Sequence, residues 1–171
     1  MNGSRILACF LFLVWATWCY AFAGYWSSSG SAWVPDIGLV LALSVMARAE
    51  VGDAPILALL ATLARASFSP EPPIVLLAGF AAIVFLAITA RSAVELTGPL
   101  WRTIAALVLV LVFNAWLAFA RAVRDPSADV VHVGVLSAAL PVAISSALLA
   151  FAAGPLFAHL PGLKPMRRRP W

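Results

Sequence analysis

Charged side chains are scarce in this chain of 171 residues: they make up 11% of it, whereas soluble domains carry about 25%. Hydrophobic residues make up 64%, above the roughly 45–50% of soluble proteins. Because so few charges cannot cover a surface that faces water, the composition excludes an ordinary soluble domain. In lipid the backbone must satisfy its hydrogen bonds internally, so long apolar segments predict an all-α, polytopic integral membrane protein.

Cysteine and histidine are also scarce, with two of each. Cys9 and Cys19 lie on one predicted helix about 15 Å apart, which is too far for a disulfide. His132 and His159 fall near opposite ends of another segment and cannot share a metal ion. The phosphate-loop, zinc-protease and nucleophile-elbow motifs are missing from the sequence. We therefore expect a protein that is not an enzyme and that has no metal or cofactor site.

Short turns rich in proline, glycine and charge divide the chain into six apolar segments. We predict a compact bundle of six transmembrane helices in one domain of residues 1–163, followed by a basic cytoplasmic tail at 164–171. The approximate helices are 6–23, 35–48, 54–68, 74–94, 100–123 and 131–159.

The second and third segments are short, because about 14–15 residues extend roughly 21–23 Å against a hydrocarbon core of about 30 Å. They form either two short spans or a hairpin that dips into the membrane. We favour two spans, because Arg48, Glu50 and Asp53 lie where the segments join, and such a tip requires water on its own side.

Basic residues are unevenly distributed between alternate loops. With a cytoplasmic N-terminus, eight fall on the cytoplasmic side and three outside, which agrees with the positive-inside rule. The first group is Arg5, Arg48, Arg91, Arg102, Lys164, Arg167, Arg168 and Arg169, and the second is Arg65, Arg121 and Arg124. Both termini are therefore predicted to be cytoplasmic. The transmembrane helices are expected to contact membrane lipids. The basic tail serves as a topological anchor or binds anionic lipid.

The first segment allows a second interpretation. Arg5, the apolar run and Ala21-Phe22-Ala23 resemble a signal peptide with its cleavage site. The apolar run is longer than in most signal peptides, which favours a retained helix. Cleavage would leave the orientation of the other five helices unchanged.

Small residues recur at helical spacing in the second and sixth segments, as Gly38 and Ala42 and as Ala139, Ala143 and Ala147. Apolar helices in lipid associate mainly through close approach at such residues. The stripes indicate either packing within the bundle or a docking face for a partner helix.

Few polar side chains lie within the segments. Asn114 is deep in the fifth, and we expect it to form an interhelical hydrogen bond, to line a small cavity or to contact a partner. Asp36 and Arg65 lie at the ends of adjacent segments, where they either form an ion pair or stay hydrated at the interface.

Three stretches resemble the rod shape-determining protein MreD family: Val34–Leu39 opens the second segment with a proline, Phe85–Arg91 closes the fourth with an arginine, and Gly154–Phe157 precedes a short basic tail. The layout is similar over most of the chain. The family often ends its third helix with an aspartate, and here Arg65 stands near that place. The turn that follows is rich in proline rather than glycine.

The resemblance implies a six-helix protein of the bacterial inner membrane with no enzymatic activity. Such proteins bind the single-span periplasmic protein MreC in the machinery of cell-wall elongation, together with the polymerase RodA and its penicillin-binding transpeptidase. The alternative is the substrate-binding S-component of an energy-coupling factor vitamin transporter, which also has six helices. The first helix of those proteins usually presents alanines four residues apart, whereas here Phe12 follows Ala8 and Tyr20 follows Ala16.

Overall fold

The computed structural model describes residues 3–93, 98–124 and 132–163, and these residues form an all-helical protein. Six α-helices are described, with a short 3₁₀ turn at Val51–Asp53 between the second and third. They are α1 (Gly3–Ser27), α2 (Ile37–Met46), α3 (Ala54–Ala66), α4 (Pro73–Ala93), α5 (Pro99–Arg124) and α6 (His132–Ala158). The predicted basic tail at 164–171 lies outside the described residues.

Proline and a capping aspartate set the beginnings of these helices. Pro73 and Pro99 each occupy a first helical position, where the missing N–H costs no hydrogen bond. Asp36 caps α2, because its Oδ1 accepts a hydrogen bond from the backbone N–H of Leu39 at 3.0 Å.

Four of the described helices are long and apolar enough to cross a membrane, namely α1, α4 over Pro73–Ala90, α5, and α6 over Ser137–Phe157. This indicates a membrane-embedded protein. The two remaining helices are shorter, with 10 residues in α2 and 13 in α3.

The short helix α2 lies at the centre of the bundle. All of its residues except Leu43 are buried, and it contacts each of the five other described helices. A helix that is apolar on every side is stable only when other helices surround it. The long helices therefore form the outside of the protein, and their exposed side chains are large apolar residues such as Trp18, Phe85 and Phe119.

Consecutive helices run in opposite directions between two ends, which we name by their carboxylates. At the Glu50 end, Arg5 of α1 contacts Glu50 at 2.5 Å, and Arg48, just after α2, contacts His159 beyond α6 at 3.2 Å. At the Glu71 end, the loop before α4 meets the last turn of α5.

The small-residue stripes pack inside the bundle. Gly38 and Ala42 lie on the buried α2, and Ala139, Ala143 and Ala147 of α6 are at most 6% exposed. The packing interpretation of the stripes is therefore confirmed for these residues. The bundle itself therefore occupies these faces.

Candidate functional site

Asp36 and Arg65 form a buried ion pair, in which Arg65 NH1 donates a hydrogen bond to Asp36 Oδ2. The Asp36 side chain is 8% exposed and that of Arg65 is 16% exposed. Of the two interpretations drawn from the sequence, the ion pair is confirmed, and the hydrated interfacial arrangement is wrong. Arg65 lies in the last turn of α3, inside the predicted helix 54–68, and it is therefore not one of the loop charges among which it was counted.

Side chains from three further helices surround this pair. The guanidinium carbon of Arg65 lies 4.5 Å from the ring centroid of Phe113 and 5.4 Å from that of Tyr20. The backbone N–H of Asp36 donates to Ser146 Oγ at 2.8 Å. We call these five residues the Asp36–Arg65 cluster, and they join α1, the start of α2, α3, α5 and α6.

Gly38 allows α1 and α2 to pack closely beside the cluster. A Cβ atom at Gly38 would collide with the ring of Tyr20, so only glycine allows the first turn of α2 to lie against α1. The small residue that the sequence suggested as a packing contact thus brings Asp36 beside the aromatic side chains.

The cluster lies near the middle of the bundle. Phe113 is fourteen residues after Pro99, or about 21 Å along α5, and eleven residues before Arg124, or about 16 Å. A single charge at such a position is costly, whereas a paired and hydrogen-bonded charge is tolerated. The carboxylate oxygens of Asp36 are both occupied, one by the helix cap and one by Arg65. The arrangement neutralises itself, and it ties five segments together.

A second ion-pair group lies at the Glu71 end. Glu71 is 6% exposed and accepts hydrogen bonds from Arg121 and Arg124 in the last turns of α5. Burial by itself raises the pKa of Glu71, but the two guanidinium groups outweigh it and hold the pKa below its usual range. This group fixes the loop at 67–72 to the end of α5.

The lowered pKa of Glu71 predicts a loss of stability in acid. A carboxyl group with a depressed folded-state pKa stabilises the fold fully above its unfolded pKa of about 4.3, and the contribution is lost as the pH falls below that value. We expect Glu71→Gln to lower the melting temperature at pH 7 and to make the fall between about pH 5 and pH 3 shallower. Equal pH profiles of the melting temperature in the two proteins would contradict this assignment.

Arg102 is buried in the first turn of α5 and binds the backbone of α6. Its Nε donates to the carbonyl of Ala150 at 2.7 Å, and its NH2 donates to that of Phe151 at 3.2 Å. Pro155 has no N–H to bond Phe151 four residues earlier, so Arg102 supplies a replacement donor. A Cβ on Gly154 would collide with the Arg102 side chain. Arg102 falls inside the predicted helix 100–123, and in the structure it is a buried helix residue rather than part of a loop.

Asn114 is partly buried on α5, where its Nδ2 donates to the carbonyl of Val110 at 2.8 Å. Because this bond lies within one helix, it does not provide the interhelical bond predicted for Asn114. Cys9 and Cys19 are free thiols on α1, as their spacing predicted. Within the described residues, no three His, Cys, Asp or Glu side chains come together as metal ligands.

Comparisons with protein-family models, curated proteins and solved structures give no match to this chain.

Sequence reasoning missed Tyr20, Ser146, Glu71 and Arg102. Tyr20 had a signal, since Ala8, Phe12, Ala16 and Tyr20 repeat every four residues and all four are buried. Arg102 also had one, because Gly154-Pro155 inside an apolar helix leaves a carbonyl in need of a donor. Ser146 and Glu71 show their roles only through contacts between segments that are distant in the chain.

Proposed function

We propose that this protein is a non-enzymatic membrane scaffold similar to the MreD family, and that it binds a single-span partner like MreC. The observation that carries the proposal is the closed Asp36–Arg65 pair. Its charged groups neutralise each other and hold the helices together, and the buried small residues are used in packing. The lipid-facing surface is then the part of the protein left for recognition.

In this proposal the chain makes six crossings of the bacterial inner membrane, with both termini cytoplasmic and the Glu50 end inside. The 10 and 13 residues of α2 and α3 extend about 15 and 20 Å, so these helices reach from the Glu50 end to the middle of the bundle. The residues at 28–36 and 67–72 complete these crossings. Without the two buried arginines, Arg65 and Arg102, the basic residues still divide seven to two in favour of the inside.

An apolar groove between α4 and α5 fits a partner helix. It has a volume of about 270 Å³ and runs from Trp101 toward Val108, with Ala87, Ala90 and Ala105 among its lining residues. Small residues of this kind permit the close helix approach that drives association in lipid. The partner in the elongation machinery would be the MreC membrane segment, with RodA and the penicillin-binding transpeptidase joining the same assembly.

Filling the groove should prevent partner binding. We expect Ala90→Phe to reduce co-purification of the single-span partner in mild detergent by at least fivefold, because the ring would occupy the groove. The matched control is Ala81→Phe, which lies about two and a half turns away on the opposite, exposed side of α4. Equal recovery of the partner with both variants would exclude the groove, and failure of the unchanged protein to recover any single-span partner would contradict the scaffold proposal.

One observation favours a second candidate, the S-component of a vitamin transporter. Tyr20, Asp36, Arg65 and Ser146 bring several polar groups together in the middle of the bundle, as a small-molecule site requires. A vitamin that co-purifies with the protein and is lost in Ser146→Val would favour this candidate over the scaffold.

A further inference from the structure

Three helices meet in register near the Glu50 end. Val40 of α2, Ala106 of α5 and Ala150 of α6 pack together as a separate buried cluster. One turn closer to the Glu50 end, the same faces carry Ser44, Arg102 and Gly154. Contact of the Arg102 side chain with Gly154 agrees with this register. Arg48 follows two residues after the end of α2, at the end of the bundle.

Two of the arginines in this region form no ion pair in the part of the chain that the structure describes. Within the described residues, Arg5, Arg65, Arg121 and Arg124 each pair with a carboxylate, but Arg48 and Arg102 do not. Arg48 reaches His159, and Arg102 reaches the carbonyls of Ala150 and Phe151, so both guanidinium groups lie at the C-terminal end of α6. A buried arginine beside a second arginine calls for an anion.

The imidazole of His159 contacts Arg48 but provides no negative charge. Its Nδ1 lies 2.6 Å from the carbonyl oxygen of Pro155, and because a carbonyl only accepts, Nδ1 carries the hydrogen. Its Nε2 then accepts from Arg48 NH1 at 3.2 Å. This contact orients the Arg48 guanidinium, and no carboxylate among the described residues pairs with its positive charge.

Unused hydrogen-bond donors accompany these charges. A guanidinium has five N–H groups, and the two bonds from Arg102 to α6 leave three of them without a partner in the described residues. The hydroxyl of Ser44, whose side chain is 2% exposed, has no hydrogen-bond partner within the described part of the chain. Buried hydroxyls without a partner are rare, and they indicate a missing water, ion or ligand.

We infer that Arg48, Arg102 and Ser44 form a binding site for a phosphate group at the Glu50 end of the bundle. Guanidinium groups match the geometry of phosphate oxygens and form charge-assisted hydrogen bonds with them. The phosphate comes from the headgroup of an anionic phospholipid or from free phosphate in solution. Basic pockets between transmembrane helices bind anionic lipid headgroups in the same way.

Lipid and phosphate titrations test the site and distinguish its two sources. The melting temperature of the purified full chain is measured in detergent with added phosphatidylglycerol, with phosphatidylcholine as the lipid control. A second arm adds inorganic phosphate without lipid, against chloride of equal ionic strength. Stabilisation by phosphatidylglycerol alone identifies a lipid headgroup, and stabilisation by inorganic phosphate identifies a soluble anion. Stabilisation by neither overturns the proposal.

Single substitutions distinguish lipid binding at this site from lipid binding by the basic tail, because every variant keeps the tail. We expect Arg48→Gln to weaken the apparent affinity about tenfold, as the loss of one charge-assisted contact predicts, and Arg48→Lys to recover part of it. Arg5→Gln is the matched control, since it removes a paired arginine at the same end. Equal affinities in the unchanged protein and in Arg48→Gln would overturn the proposal, as would an equal loss in Arg5→Gln. Arg48→Gln leaves the hydrogen bonds from Arg102 to α6 intact. It also changes the contact with His159, and Arg48→Lys retains a donor for that contact.

Discussion

Replacing Arg65 with methionine should lower the free energy of unfolding by about 3–5 kcal/mol, which is the usual cost of leaving one charge of a buried pair uncompensated. The methionine fills much of the volume of the arginine stem, so lost packing contributes little. Asp36 would keep its cap of α2 but lose its partner. The measurement is equilibrium or thermal unfolding of the purified protein in detergent.

A double variant distinguishes the charge from the shape of the site. Asp36→Asn keeps the capping oxygen and removes the charge, so Asp36→Asn with Arg65→Met should recover at least half of the lost stability. Arg121→Met is the control for removal of an exposed arginine from an ion pair, and we expect it to cost less than about 1 kcal/mol. An Arg65→Met protein as stable as Arg121→Met, or strictly additive effects of the two substitutions in the cluster, would show that the pair is not coupled.

Adding one methyl group at Gly38 should cost about 2–3 kcal/mol. The new Cβ would overlap ring atoms of Tyr20, and a ring held among packed helices cannot move aside as the end of a flexible side chain can. Helix propensity acts in the opposite direction, since alanine is favoured over glycine by about 1 kcal/mol. Gly24→Ala measures that propensity alone, because no atom would contact its Cβ and it lies in α1.

Removal of the ring should rescue the Gly38→Ala protein. Tyr20→Ala on its own leaves a cavity and should cost about 3–5 kcal/mol, but together with Gly38→Ala the total should be at least 1 kcal/mol less than the sum. Additive losses of stability would mean that the Tyr20 ring does not restrict the side chain at position 38. They would contradict the claim that glycine is required there for the close packing of α1 and α2.

The architecture was largely predictable because lipid imposes few choices on a chain. Apolar segments separated by Pro73 and Pro99 can form only helices in that solvent, and both prolines begin a helix. The short length of the second segment was also visible. The central, buried position of α2 could not be predicted from the sequence. When every face of a helix is apolar, the hydrophobic pattern does not show which face packs against the other helices.

The polar interior was less predictable, because ion pairs depend on which segments pack together. Asp36 and Arg65 are 29 residues apart, and the sequence left open whether they meet. Arg65 and Arg102 fall inside predicted helices, but the charge rule counts them with the loops because charge usually marks a membrane surface. In the structure the carboxylate of Asp36 pairs with Arg65. The backbone carbonyls of Ala150 and Phe151 accept hydrogen bonds from Arg102. Asn114 satisfies its amide within its own helix, which residue type alone does not reveal.

The position of the Asp36–Arg65 pair in a real bilayer tests the account most directly. The measurement is a structure of the purified protein in a lipid nanodisc, in which the depth of the Asp36 carboxylate is read relative to the two surfaces of the disc. We predict that the carboxylate lies within about 5 Å of the bilayer midplane and in contact with the Arg65 guanidinium, because the cluster is near the middle of α5. A pair at the headgroup level, or two side chains that separate to reach water, would contradict the account.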